Sequence, residues 1–149
     1  MTLSHLEVSP QARPGHRFGY LFAIAVNLIM LITVQFILEW GWLPFLTEEF
    51  AGLVPLISLS LLVTIVANLV YLFDDRTMVK STGEIGVNLI SLFVTYQIYL
   101  AFPFDFSAYS FDWEVLMRIV LILAMVGTGV GVLAEAWQLH RASLNEGRK

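Results

Sequence analysis

This chain reads as an all-α integral membrane protein: a four-transmembrane-helix bundle made of two parallel-repeat helical hairpins, with cytoplasmic N- and C-termini. Three observations predict it. Of 149 residues, 58% are hydrophobic and only 13% charged, about half the charged share of an ordinary soluble domain. Four apolar stretches, 18–38, 53–73, 85–101 and 115–137, each approach the roughly 20 residues a helix needs to cross about 30 Å of hydrocarbon. Lys and Arg also fall at alternate ends of those stretches. Helix is the spanning form to expect, because an open sheet would leave backbone groups unpaired in lipid.

The N-terminal segment 1–17 is polar, holds two prolines, and is expected to be a mobile cytoplasmic arm. Span one follows Arg13 and Arg17. Its apolar run is too long for a secretion signal and no small-residue cleavage site follows it, so it is expected to be retained. Arg76 and Lys80 lie between spans two and three, and Arg141, Arg148 and Lys149 follow span four, in a tail expected over 138–149. The connections 39–52 and 102–114 carry no Lys or Arg, and Arg118 alone departs from the pattern. By the positive-inside rule, both termini and the middle loop face the cytoplasm. The setting this suggests is a prokaryotic inner (plasma) membrane.

Two nearly identical strings support the repeat. VNLIML at 26–31 returns as VNLISL at 87–92, placing Asn27 and Asn88 in otherwise apolar runs. The same shift, residue 26 onto residue 87, aligns Ile37 with Ile98, Phe45 with Phe106, Phe50 with Phe111 and Asp74 with Glu135, without a gap. Two-span units repeated in one orientation are related by an axis along the membrane normal.

Polar residues also recur at helical spacing. Ser60, Thr64, Asn68, Tyr71 and Asp75 on span two, and Glu84, Asn88, Ser91, Thr95 and Tyr99 on span three, form two stripes, since residues three and four apart share a helix face. Counted from the short loop joining the spans, Asn68 and Asn88 are expected at comparable depth, within about 10 Å of the boundary. An amide facing lipid would cost roughly 1–3 kcal/mol, so the stripes should face protein or water. They serve either as interhelical hydrogen-bonding glue or as a polar corridor.

Other candidates carry structural alternatives. Asp74, Asp75 and Glu135 are cytoplasmic acids near span ends, where the helix dipole disfavours negative charge; solvation, an ion pair, or cation or proton binding each fits them. Ser81 to Glu84 reads as a capping box opening span three. Pro55 suits the first turn of span two. Gly127 and Gly131 form a GxxxG pair for close helix packing; the surrounding VGTGVG sits inside an apolar span and does not make a channel filter. Half of the aromatic residues lie in 39–50 and 102–113. Trp40, Trp42, Phe104, Phe106 and Trp113 are therefore expected to anchor the loops at the interface or to form a docking surface.

Composition narrows the chemistry. With no cysteine there are no disulfides, thiolate metal sites or cysteine nucleophiles. The three histidines lie outside or at the edges of the spans, which disfavours haem. No span contains a lysine for a retinal Schiff base. P-loop, nucleophile-elbow and zincin motifs are missing, so no enzyme, cofactor or metal centre is expected. A net charge of −4 disfavours nucleic acid as a partner. The expected role is a non-enzymatic polytopic accessory subunit or lipid-contacting scaffold. Its partners would be membrane lipids and, through self-association or a partner subunit, other membrane chains. The alternative is a small oligomeric transporter or channel with a polar path along spans two and three.

Overall fold

The computed structural model describes residues 14–74 and 76–146. The expected mobile arm lies outside the described residues up to position 13, as do Asp75 and 147–149. Four helices follow in order: α1 (Pro14–Trp40), α2 (Phe50–Phe73), α3 (Thr77–Ala101) and α4 (Trp113–Glu146). All four are long and apolar enough to cross a membrane, over Arg17–Trp40, Phe50–Phe73, Thr77–Ala101 and Trp113–Arg141. By length and composition this is the make-up of a multi-pass membrane protein.

The helix ends follow from local chemistry. Pro14 opens α1, where its missing N–H costs nothing. The helix stops at Gly41, whose φ of 61° is the left-handed conformation glycine adopts freely. Phe50, Ala51 and Gly52 donate to the carbonyls three residues earlier, a tightly wound entry that starts α2 ahead of position 53. Pro55 consequently lies in the second turn, not the first. It leaves the Ala51 carbonyl without its usual partner. α4 starts where Asp112 Oδ1 accepts the Val115 N–H at 3.3 Å, a capping role, with Glu114 in the first turn suiting the dipole. α4 continues through the expected tail, to Glu146.

The largest departure is the start of α3. The expected capping box does not form, because the helix begins at Thr77 with Arg76 as its N-cap and no side-chain cap. Asp74 accounts for this. Its carboxylate accepts the Arg76 N–H at 3.2 Å and pairs with the guanidinium at 3.6 Å, which closes a tight turn between α2 and α3. Ser81 is then a helix-interior residue, 2% exposed, and Glu84 stands two turns in. Asn68 lies five residues before the end of α2 and Asn88 eleven after the start of α3, or about 8 and 17 Å along their helices.

Helix partners run in chain order: α1 packs on α2, α2 on α3 and α3 on α4, while the backbones of α1 and α4 do not come together. Antiparallel pairing is fixed by Gln35 donating to Ser58 (2.7 Å), by Tyr71 donating to the Lys80 carbonyl (3.2 Å) and by Gly131 lying against Asn88. One end of the molecule thus carries Arg17, the α2–α3 turn and Arg141; the other carries the two aromatic loops. A two-fold axis relating the hairpins would turn the α2–α3 contact into an α4–α1 contact, and none exists among the described residues. The bundle is an open series. Its buried apolar side chains are few: Val34, Leu53, Ile65, Tyr71 and Val94.

The aromatic loops are bridged to each other. Leu46 and Phe104 form an isolated antiparallel bridge, in which Thr47 N–H donates to Pro103 O (3.0 Å) and Asp105 N–H to Phe45 O (2.7 Å). Phe45 packs on Phe106, its counterpart in the repeat alignment, with centroids 5.2 Å apart. Pro103 is fully buried beneath them.

A polar cavity between the first three helices

The two carboxamides that open the question of polar residues in lipid meet at one place. A half-open cavity of about 220 Å³ lies between α1, α2 and α3, lined by both Asn68 and Asn88. Thr64, Ala67 and Tyr71 complete the α2 wall; Lys80, Glu84 and Val87 complete the α3 wall. Tyr20 closes it from α1. Because α1 and α3 do not pack backbone to backbone, the cavity occupies the gap between them.

Each wall follows from helical spacing. Thr64, Asn68 and Tyr71 follow at steps of four and three on α2, and Lys80, Glu84 and Asn88 at steps of four on α3, so each trio shares a face. Tyr71, 5% exposed, can lie flat against α3 only because residue 83 is glycine. A Cβ there would overlap the Tyr71 hydroxyl and stand 2.9 Å from Cε1 and Cζ. The Tyr20 and Tyr71 rings are 5.9 Å apart, and Lys80 Nζ stands 5.8 Å from the Tyr20 centroid.

The stripe residues divide: Tyr71 bonds across to Lys80 O on α3, while others bond within their own helix. Thr64 donates to Ser60 O (2.9 Å), Asn68 to Thr64 O (2.8 Å) and Thr95 to Ser91 O (2.8 Å). Asn27 does the same to Ala23 O (2.8 Å). In a helix the carbonyl four residues back lies within reach of a short polar side chain, which bonds there without help from a neighbour. All six of Thr64, Asn68, Asn88, Ser91, Thr95 and Tyr99 are half-buried. Only the Asn pair and Thr64 reach the cavity. The Asn88 side chain makes no hydrogen bond with any described residue.

The acids divide. Asp74 sits in the α2–α3 turn, bound to Arg76, and Asp75 lies outside the described residues. Glu135 is eleven residues short of the end of α4, so the dipole argument made for it from sequence does not apply. Its carboxyl instead lies near that of Glu84. Lys80 Nζ is 3.9 Å from Glu84 Oε1. Among the described residues no group of three or more His, Asp or Glu is placed to hold a metal ion.

The remaining candidates lie elsewhere. A Cβ on Gly131 would meet Asn88 Nδ2 at 3.5 Å, whereas Gly127 faces open space; within one chain the GxxxG pair is half used. Trp40, Trp42 and Trp113 are exposed; Trp40 packs on Trp42 and Trp113 on Phe111, with centroids 4.7 and 5.0 Å apart. Phe104 and Phe106 belong to the cluster around Phe45. Arg118, the exception in the charge pattern, gives two hydrogen bonds to Glu114 (3.2 and 3.1 Å) and lies 4.1 Å over the Phe102 ring. Phe102 itself caps α3 at a left-handed φ of 41°, its N–H donating to Ile98 O. At the same end Asp105 accepts the Ser107 N–H (2.9 Å), which holds its carboxyl below the usual carboxylate range.

Sequence reasoning put Glu84 on the Asn88 stripe and Tyr71 on the Asn68 stripe, though it gave Glu84 a capping role; it missed Tyr20 and Lys80, and spacing from Asn88 was the available signal for Lys80. Comparison with family models, with curated proteins and with solved structures finds no match to this chain.

Proposed function

We propose that the chain is a non-enzymatic polytopic membrane protein, an accessory subunit or lipid-contacting scaffold, with both termini and the α2–α3 turn in the cytoplasm. The open series of helices carries this reading. With α1 and α4 apart and at most 11% of the residues in any span's apolar window fully buried, the helices leave many large apolar side chains open to lipid or to another chain. Among the described residues two side-chain hydrogen bonds cross between helices, and Asn27, Thr64, Asn68 and Thr95 bond within their own, as suits helices packed mainly by shape. The basic residues at the α2–α3 end support the orientation. The Phe45–Phe106 packing supports two repeated hairpins, arranged in series.

The meeting of Asn68 and Asn88 in one cavity favours a second reading, a transport path opening on that end. The bridged aromatic loops at the opposite end weigh against a continuous path. Flux measurements on proteoliposomes separate the two. A scaffold gives no solute flux above protein-free vesicles, while a transporter gives flux that falls when Asn68 or Asn88 becomes Leu.

A further inference from the structure

We propose that the two bridged aromatic loops form a two-state clasp. The closed state is held under strain and gives way, as one unit, to an open state in which the Thr47 hydroxyl caps α2.

Two outliers carry this, and they meet at one contact. Phe102 is the one non-glycine residue among the described residues with a positive φ, at 41° with ψ 65°. A bulky side chain seldom adopts that conformation, and Pro103 favours extended backbone at the residue before it. Thr47 Oγ1 is the one buried side-chain polar atom among the described residues with no hydrogen-bond partner, where such groups are almost always paired. The Thr47 N–H donates to Pro103 O. A single hydrogen bond therefore joins the residue with the orphaned hydroxyl to the neighbour of the strained one.

Closure depends on the strained turn. The left-handed step at Phe102 leads the chain out of α3 to where Pro103 O meets the Thr47 N–H (3.0 Å) and the Asp105 N–H meets Phe45 O (2.7 Å). Against the strain stand those two bonds, the burial of Pro103 and the Phe45 ring packed on Phe104 and Phe106, with centroids 6.4 and 5.2 Å apart. The bridge is isolated, so no ladder reinforces it on either side. Strain of this kind persists only where surrounding contacts over-determine it, and it gathers at parts that switch.

The open state has a bond of its own to form. α2 starts with Glu49 at its N-cap and no side-chain cap. Threonine is a favoured capping residue, its hydroxyl accepting the N–H two or three residues on. From Thr47 those are Glu49 and Phe50, and the Phe50 N–H already donates to Thr47 O (3.1 Å). Released from Pro103, Thr47 caps α2 two residues earlier with its hydroxyl paired, and Phe102 leaves the left-handed region. Neither outlier then remains.

The test follows amide hydrogen exchange of the full chain in nanodiscs by NMR. The Thr47 and Asp105 N–H groups are the two donors of the bridge, so local opening controls their exchange. In the wild type both should report one shared opening equilibrium, reached more readily than that of amides in the middle of α2 and α3. Thr47→Val keeps the shape and removes the hydroxyl, which takes away the closed state's unpaired group and the open state's cap together. The expected result is Asp105 amide exchange slowed about tenfold, equivalent to ~1.4 kcal/mol, with mid-helix amides unchanged. Thr47→Ser retains the hydroxyl and should leave Asp105 exchange near the wild-type rate. Asp105 exchange as fast as wild type or faster in Thr47→Val overturns the proposal, because the hydroxyl then does not oppose closure. Unrelated opening equilibria at Thr47 and Asp105 in the wild type overturn it as well, whether or not the variants fold.

Discussion

Gly83→Ala isolates the contact that joins the two hairpins. Alanine is the better helix former by about 0.8–1 kcal/mol, so on an unpartnered helix the change would stabilise. Here the new methyl would overlap the Tyr71 hydroxyl and crowd Cε1 and Cζ, each 2.9 Å away. Tyr71 is almost fully buried and bonded to Lys80 O, so its ring must be displaced as a unit. Overpacking of this kind costs about 1–3 kcal/mol, and the hydrogen bond adds about 0.6 kcal/mol on membrane-protein scales. The cost exceeds the propensity gain, for a net loss of about 1–2 kcal/mol. Equilibrium unfolding in mixed micelles, followed by circular dichroism, measures it. A double-mutant cycle adds the control: in a Tyr71→Phe background the worst overlap is gone, and Gly83→Ala should cost less than in the wild type. If Gly83→Ala is neutral or stabilising in both backgrounds, Tyr71 does not pack on α3 as described.

Other consequences concern separate parts of the molecule. Because the chain has no cysteine, Leu46→Cys with Phe104→Cys should oxidise to an intramolecular disulfide, the bridged pair falling in the range such a bond needs; persistent free thiols on mass spectrometry would deny the loop pairing. Gly131→Leu should lower the unfolding midpoint by driving a side chain into Asn88, while Gly127→Leu, facing open space, should leave the monomer unchanged; the reverse order would refute the placement of α4. Asp105 should titrate below an ordinary aspartate. Its folded value is depressed, so the stability it lends is present at neutral pH and lost as pH falls through that lowered value; an unshifted carbon-13 titration of its carboxyl, or no response to Asp105→Asn, would count against the Ser107 bond.

What the sequence made legible was whatever depends on a single helix. Four apolar runs of spanning length became four helices, and the period of three to four placed Thr64, Asn68 and Asn88 on half-buried faces. What stayed hidden depends on two helices at once. The Ser81–Glu84 motif looks like a helix start in isolation. The Asp74–Arg76 turn, and the packing of Tyr71 on Gly83, make it helix interior. The repeat pointed to Glu135 by its match with Asp74, yet one acid closes a turn and the other faces Glu84 across helices. Nothing in a one-dimensional pattern records that α1 and α4 stay apart, because both are as apolar as the helices that pack.

That separation is most directly measured by cysteine cross-linking of single chains in nanodiscs. Gln35→Cys with Ser58→Cys, whose parent side chains are hydrogen-bonded, should cross-link efficiently between α1 and α2. Ile32→Cys with Ile122→Cys, on α1 and α4, should stay reduced. Efficient cross-linking of the second pair within one chain would close the bundle and contradict the open series of helices.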